Sequence, residues 1–408
     1  AAVAAAAGGG STAVASAFAP VPALRPAAPS SSFASTSTST SSRLSAVTTA
    51  AIAGMDDPTF SPPDTLNDGG ITEVACAEAA SKMRRVAVPV PEYVSQSGTV
   101  GISYVHWPAA KVPGSSRALP MLMVHGFDSS CLEYRRLGPK LAALGVDVYA
   151  VDLLGWGYTQ LDGVDSFSAR AKVDALAGFW RVVGNDAPVC VAGASLGGAA
   201  AIEYGAANPD VVKGAVLIDA QGFVDGVGPM AMLPEPLARL GVKVLKSVPL
   251  RNSANQMSYH DPQTYATEDA LRVGRLHCLR DGWDDALVSF MLSGGFSPSS
   301  KVSQIAAPSL VLWGRQDGIL DGAEFAAKFL DELPDGQLRW IEDCGHVPHL
   351  EQADVTAQVI ADFLRSEKFE EANKGGQLAD ELPLNNMGEV MASAVQAAES
   401  FFKSIAAP

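Results

Sequence analysis

From Arg85 onward the sequence predicts an α/β fold organised on a mostly parallel sheet. Three observations carry that expectation. Short β-branched runs alternate with helix-like stretches, Gly, Pro or Asn bounds each helical stretch, and one long insert breaks the rhythm without adding a strand. In chain order, strands are expected at Arg85–Val90, Thr99–Trp107 and Leu119–Val124, followed by a helix over Leu132–Leu144. A strand at Val146–Asp152 and a helix at Ser166–Val183 come next, then the strand Val189–Ala192 and the Ala-rich helix Leu196–Ala207. Gly214–Asp219 is the sixth strand. Ser309–Trp313 and Gln337–Glu342 complete a set of eight, with helices at Ala323–Leu333 and Ala353–Arg365.

The insert, residues 223–300, is expected to form a helical cap after the sixth strand. It holds helix-like runs at Leu237–Val248, Ala266–Asp281 and Asp284–Leu292, and four of the ten Met residues. The remaining partition is 1–55 as a presequence, 56–84 as a linker, 85–222 and 301–367 as the two parts of the core, and 368–408 as a linker with a terminal amphipathic helix. In that helix Met387, Val390, Met391, Ala394 and Phe401 recur at helical spacing opposite Glu389, Gln396 and Lys403. Packing on the body or a partner is its expected role. Peripheral contact with a membrane surface is the second reading, which Lys403 as the sole base on the polar face disfavours.

Composition narrows the function classes. Of 408 residues 48% are hydrophobic and 18% charged, enough for a sizeable core. A formal charge of -15 disfavours a nucleic-acid surface, which needs clustered Lys and Arg. The five cysteines are scattered, with no C-x-x-C pair, so neither a disulfide framework nor a zinc knuckle is expected. No window holds the apolar length of a membrane-spanning helix. Residues 1–55 contain no Asp or Glu, carry only Arg25 and Arg43 as charges, and are rich in Ala, Ser, Thr, Gly and Pro. That is the composition of a transit peptide. Within it, Ala15-Ser16-Ala17-Phe18-Ala19-Pro20 resembles the cleavage motif of bipartite plastid presequences in algae with complex plastids, so a plastid location is expected.

The chemistry centres on Gly193-Ala194-Ser195-Leu196-Gly197. A G-x-S-x-G match arises by chance roughly 0.3 times in such a chain, so context decides. Here the motif follows a strand-like run and opens an Ala-rich helix, the strand, sharp turn, helix setting of a nucleophile elbow. The serine needs a base held in one tautomer by an acid, in the order Ser, acid, His. Downstream histidines are His260, His277, His346 and His349. His346, after the last strand in Asp343-Cys344-Gly345-His346, is the expected base and His349 the alternative. His260 and His277 lie in the insert and read as satisfied polar residues. The expected acid is Asp317, after the strand ending at Trp313, with Asp219 at the end of the sixth strand as its competitor. Asp152 precedes the serine and reads as a structural turn carboxylate. Two backbone donors are needed for an oxyanion, and the amides of Leu196 and Phe127, the latter in the turn His125-Gly126-Phe127-Asp128, are the candidates.

Taken as an ordered set, His125-Gly126-Phe127, Asp152-Leu-Leu-Gly-Trp-Gly157, Gly193-Ala-Ser195-Leu-Gly197-Gly198, Trp313-Gly-Arg-Gln-Asp317 and Gly345-His346 resemble the α/β-hydrolase superfamily. The resemblance implies an eight-stranded sheet with an antiparallel second strand, a cap after the sixth strand, and a Ser, His, Asp triad that needs no metal or organic cofactor. The Asp-Leu-Leu-Gly-Trp-Gly and Ser-Leu-Gly-Gly segments resemble the plant and algal plastid branch that includes chlorophyll dephytylases and pheophytinases. Epoxide hydrolases and haloalkane dehalogenases are similar overall, but Ser195 stands where they carry an Asp nucleophile. The expected activity is hydrolysis of a hydrophobic carboxylic ester. Alternatives are a thioester or carbon-carbon bond electrophile with the same triad, and a non-catalytic ligand receptor on the same fold. Apolar residues of the insert, among them Met232, Leu237, Leu240, Trp283, Phe290 and Phe296, are expected either to contact an apolar substrate or to pack the insert on the core.

Overall fold

The computed structural model describes residues 54–65, 67, 69–112 and 118–373, so the expected presequence, apart from Gly54 and Met55, and the expected terminal amphipathic helix lie outside the described residues. The chain enters through α1 (Val74–Ser81) and continues through β1 (Met83–Pro89), β2 (Thr99–Trp107), β3 (Met121–Val124), α2 (Leu137–Ala143), β4 (Val148–Val151) and α3 (Ala169–Val183). β5 (Val189–Ala194), α4 (Leu196–Ala207) and β6 (Val212–Ile218) follow. The insert contributes α5 (Glu235–Leu245), α6 (Val248–Ser258), α7 (Pro262–Tyr265), α8 (Glu268–Leu276) and α9 (Trp283–Leu292). β7 (Ser309–Gly314), α10 (Gly322–Glu332), β8 (Gly336–Ile341), α11 (Pro348–Glu351), α12 (Ala353–Leu364) and α13 (Glu367–Asn373) complete the described chain.

All eight strands join one sheet in the order β1-β2-β4-β3-β5-β6-β7-β8. β2 runs antiparallel to both β1 and β4, and the other pairings are parallel. The central strands β3 and β5 are buried at every position, as parallel strands covered on both faces must be. Alternation sorts each strand between two cores. Leu122 and Val124 of β3 pack with α3 and α4, whereas Met121 and Met123 pack with α1, α2 and α12 on the other face. α3 shows how local sequence builds a layer. Ser168 caps it by accepting from the Ala171 amide at 3.2 Å, and Leu176, Phe179 and Trp180 are buried against the sheet.

Three expectations need correction. The stretch Leu132–Leu144 is a 3-10 turn at Cys131–Tyr134 followed by α2, because the Cys131 amide is held by Asp152 Oδ1 at 2.5 Å and the Tyr134 hydroxyl by the Val124 carbonyl at 2.7 Å. Residues 56–84 are more than a linker, since α1 buries Cys76, Ala79 and Ala80 and Ile71 joins the same core. The body also continues past residue 367. α13 seats Phe369 beside Phe363, with ring centroids 5.0 Å apart.

Candidate active site

β5 ends at the sharp turn that carries Ser195. The serine has φ 51° and ψ −120°, a conformation strained for any side-chain-bearing residue and costing about 1–3 kcal/mol unless its surroundings impose it. They do. The Ser195 amide donates to the Ile218 carbonyl at 3.0 Å, and its carbonyl accepts from Gly198 and Gln221 amides at 2.9 and 2.8 Å. The flanking glycines are required by space. A Cβ on Gly193 would lie 2.1 Å from the Gly197 carbonyl oxygen, and one on Gly197 would lie 2.2 Å from that of Val124. Leu196 is the first residue of α4, so its amide has no intrahelical acceptor and sits at the positive end of the helix.

His346 lies on the loop after β8, with its ring nearly buried. Its Nδ1 is 2.8 Å from Asp317 Oδ2. Asp317, on the loop after β7, is itself fixed. Its Oδ1 accepts from the Ile319 and Leu320 amides at 2.7 and 3.1 Å, and its Oδ2 also accepts from Trp313 Nε1 at 3.1 Å. Burial works to raise the pKa of Asp317, but the hydrogen bond and charge of His346 and those two amides hold it below the ordinary carboxylate value. With Nδ1 committed to Asp317, Nε2 is the ring nitrogen left for proton transfer.

Ser195 and His346 line one cavity of about 240 Å³, together with Gly126 and Phe127. Leu245, Leu250, Leu271 and Val273 from the insert and Ile319 from the loop after β7 make its apolar walls. The structure therefore brings Ser195, His346 and Phe127 to one cavity and Asp317 to His346.

The alternatives fall elsewhere. His349 is buried with Nε2 at 3.0 Å from Glu133 Oε1, three residues beyond the ring that meets Asp317. Glu133 in turn accepts from the Gly126 amide at 3.1 Å. Burial works to raise its pKa, but the adjoining His349 brings it down to about 2. His260 is exposed. Asp152 accepts from Ser103 Oγ and from the Cys131 and Tyr158 amides, as a structural turn carboxylate does. Asp219 is fully buried beside the site, and one of its carboxylate oxygens lies within 4.8 Å of an Asp317 oxygen and a His346 nitrogen. Oδ1 accepts from the Gly314 amide at 2.9 Å, and Oδ2 has no partner among the described residues. Burial, and then the charge of Asp317, push its pKa well above the ordinary carboxylate value, opposite in direction to that of Asp317.

Sequence reasoning missed two features. His125 accepts from the Leu153 amide through Nε2 at 3.1 Å, which leaves Nδ1 as the donor to the Gly126 carbonyl at 2.8 Å; burial lowers its pKa and keeps it neutral. The turn that presents Phe127 is thereby fixed. The second is Asp128, which is buried at φ 47° and receives Arg251, His277 Nε2 at 2.9 Å and Trp283 Nε1 at 2.8 Å, all from the insert. No local pattern points to a cluster assembled across more than a hundred residues. Insert residues Trp283, Phe290 and Phe296 are core, Met232, Leu237 and Leu240 face solvent, and none of the six lines the cavity.

A strained serine on a strand-to-helix turn, with a histidine and carboxylate carried on the loops after β8 and β7, defines an α/β-hydrolase. The chain belongs to the alpha/beta hydrolase family, whose model matches residues 121–359. It is 34% identical over 306 residues to the alpha/beta hydrolase domain-containing protein VTE7 of Arabidopsis thaliana, covering 75% of this chain and 90% of that protein. Lipase 1 of Psychrobacter immobilis is 25% identical over 246 residues, 60% of this chain and 76% of that one. A 2-hydroxy-6-oxononadienedioate/2-hydroxy-6-oxononatrienedioate hydrolase of Dechloromonas aromatica is 26% identical over 259 residues, 60% of this chain and 86% of that one.

Proposed function

We propose that this chain is a serine hydrolase that cleaves a hydrophobic carboxylic ester through an acyl-enzyme. The observation that carries the reading is the shared cavity of Ser195 and His346, with His346 bonded to the buried Asp317 at 2.8 Å. Ser195 Oγ attacks the ester carbonyl as its proton passes to His346 Nε2, and Asp317 holds the Nδ1 proton and supports the imidazolium. The amides of Phe127 and Leu196 receive the tetrahedral oxyanion. Collapse expels the alcohol, which takes the proton from His346. A water molecule, deprotonated by the same imidazole, then releases the acid and restores Ser195. No step calls for a metal or organic cofactor.

Apolar walls from the insert, acting as a cap, favour an acyl or prenyl chain over a charged substrate. The acid-free, hydroxyl-rich residues 1–55 and the plant relative support a plastid location, where phytyl esters and galactolipids supply such bonds. A second reading, carbon-carbon cleavage with the same residues, is favoured by the similarity to the oxononadienedioate hydrolase. The separating experiment incubates plastid lipid and pigment extract with wild type beside Ser195→Ala. The ester reading expects a free acid and its alcohol to accumulate with wild type only. Turnover confined to vinylogous diketones, with esters untouched, would replace it with the second reading.

A further inference from the structure

Eleven large apolar side chains are exposed among the described residues, and six of them, Met232, Leu237, Leu240, Val244, Val248 and Leu279, belong to the insert. Three form a stripe on α5. Leu237, Leu240 and Val244 stand at i, i+3 and i+7, one face of a helix, and are 52%, 59% and 53% exposed. Ala238, Val242 and Leu245 are buried on another side of the same helix, which packs against α9. Met232, three residues before α5, and Val248, three residues after it, are exposed as well. A soluble helix ordinarily turns one apolar face inward, whereas α5 is apolar on both sides with basic residues between them.

Charge identifies the occupant. Residues 236–260 contain Arg239, Lys243, Lys246 and Arg251 and no acid, in a chain with 44 acidic against 29 basic residues. Arg251 is spent on Asp128, and Arg239 on Glu235 and Asp285. Lys243 remains exposed one residue before Val244. An apolar stripe bordered by lysine on an otherwise acidic protein matches an anionic lipid surface.

We propose that the α5 face of the insert docks on an anionic lipid bilayer, so that the cavity takes its ester from the membrane. The inner side of the same helical pair already belongs to the cavity, which Leu245, Leu250 and Ala254 line. The docking half stands on the exposed stripe alone. The delivery half rests on the serine-hydrolase reading.

The test is flotation of the full chain with vesicles of phosphatidylcholine alone or mixed with phosphatidylglycerol, beside hydrolysis of a short water-soluble ester. Wild type should float more with the mixed vesicles. Leu240→Asp/Val244→Asp should float about tenfold less, and Lys243→Glu should lose the increment due to phosphatidylglycerol. All three proteins should hydrolyse the soluble ester alike, which also reports folding. Wild type that stays in solution, or a double variant that floats like wild type, overturns the proposal. So does a wild-type dimer, measured by light scattering, that the double variant converts to monomer without any vesicle binding. Flotation requires no turnover, so normal flotation without ester hydrolysis sinks only the catalytic reading, and soluble-ester hydrolysis without flotation sinks only the docking.

Discussion

Arg251 of the insert and Asp128 of the turn after β3 form an ion pair whose carboxylate is completely shielded from solvent. Asp128 directly follows Phe127, so an insert residue braces the turn expected to hold the oxyanion. A second brace joins the insert to the histidine loop, where the His346 amide donates to the Ser258 carbonyl at 2.8 Å. Glu351 adds a third, accepting from the amides of Gly345, His260 and Asp261. The insert therefore fixes two of the loops that carry the candidate machinery.

Arg251→Ala should remove the guanidinium from the buried Asp128 carboxylate and leave it with His277 and Trp283 alone. Breaking a buried pair from one side costs about 3–5 kcal/mol, to be read from urea unfolding. Ester turnover should fall with it, by about 10- to 100-fold, through the displaced Phe127 amide. Turnover equal to wild type at matched folded fraction would remove the link between insert and oxyanion turn.

His277 gives that cluster a pH signature. Burial opposes protonation, but the Cys278 sulfur and Asp128 raise its pKa to about 10, against about 6.5 for an unperturbed imidazole. A raised pKa contributes stability that is full below about 6.5 and is lost as pH rises toward about 10. His277→Gln should consequently be less stable than wild type at pH 6, and the gap should narrow steadily up to pH 10. A gap independent of pH, in paired thermal melts, would mean that His277 is not protonated in the fold.

Asp219 and Asp317 should separate cleanly by isosteric substitution. Asp317→Asn leaves His346 without its anionic partner and should lower kcat by about 10³- to 10⁴-fold. Asp219→Asn keeps an oxygen for the Gly314 amide and should keep kcat within about threefold. Comparable losses in both would make the two carboxyls a single unit.

Lys172 is buried in α3, where it donates to the Leu154 carbonyl and sits 3.8 Å from the Trp156 ring centroid. Burial pushes its pKa well below the usual lysine value. A depressed lysine favours the unfolded chain, where the amine is charged, so its penalty lessens as pH rises toward about 10.5. Lys172→Met should be neutral or stabilising by about 1–3 kcal/mol at pH 7, with the advantage shrinking by pH 10. Destabilisation at pH 7 in denaturant titrations would contradict a lysine whose burial is a net penalty.

Much of this was legible in the sequence because it is local. A fully apolar run such as Val189–Ala192 announces a covered parallel strand, and the glycines at 193 and 197 announce the elbow between it and α4. Ser195 needed no coordinates. Asp317 was the expected acid over Asp219 on the sequence, and the distance that singles it out, 2.8 Å from its Oδ2 to His346 Nδ1, is a tertiary contact that no local pattern carries. α6 went unseen for a physical reason. Val-Pro-Leu-Arg-Asn-Ser-Ala-Asn-Gln-Met-Ser has no apolar period, and none of its residues is buried, so tertiary contacts such as Arg251 to Asp128 make the helix worthwhile rather than its own pattern. The Asp128 cluster was invisible likewise, its insert members lying 123 to 155 positions from Asp128.

In the proposed reaction Ser195 is a nucleophile activated by His346. Intact-mass and peptide mapping after treatment with a fluorophosphonate measures this directly. One phosphonyl adduct is expected on Ser195, absent from Ser195→Ala and formed at least about 10³-fold more slowly in His346→Ala. Folded wild type that takes up no adduct, or carries it on another residue, would contradict the account.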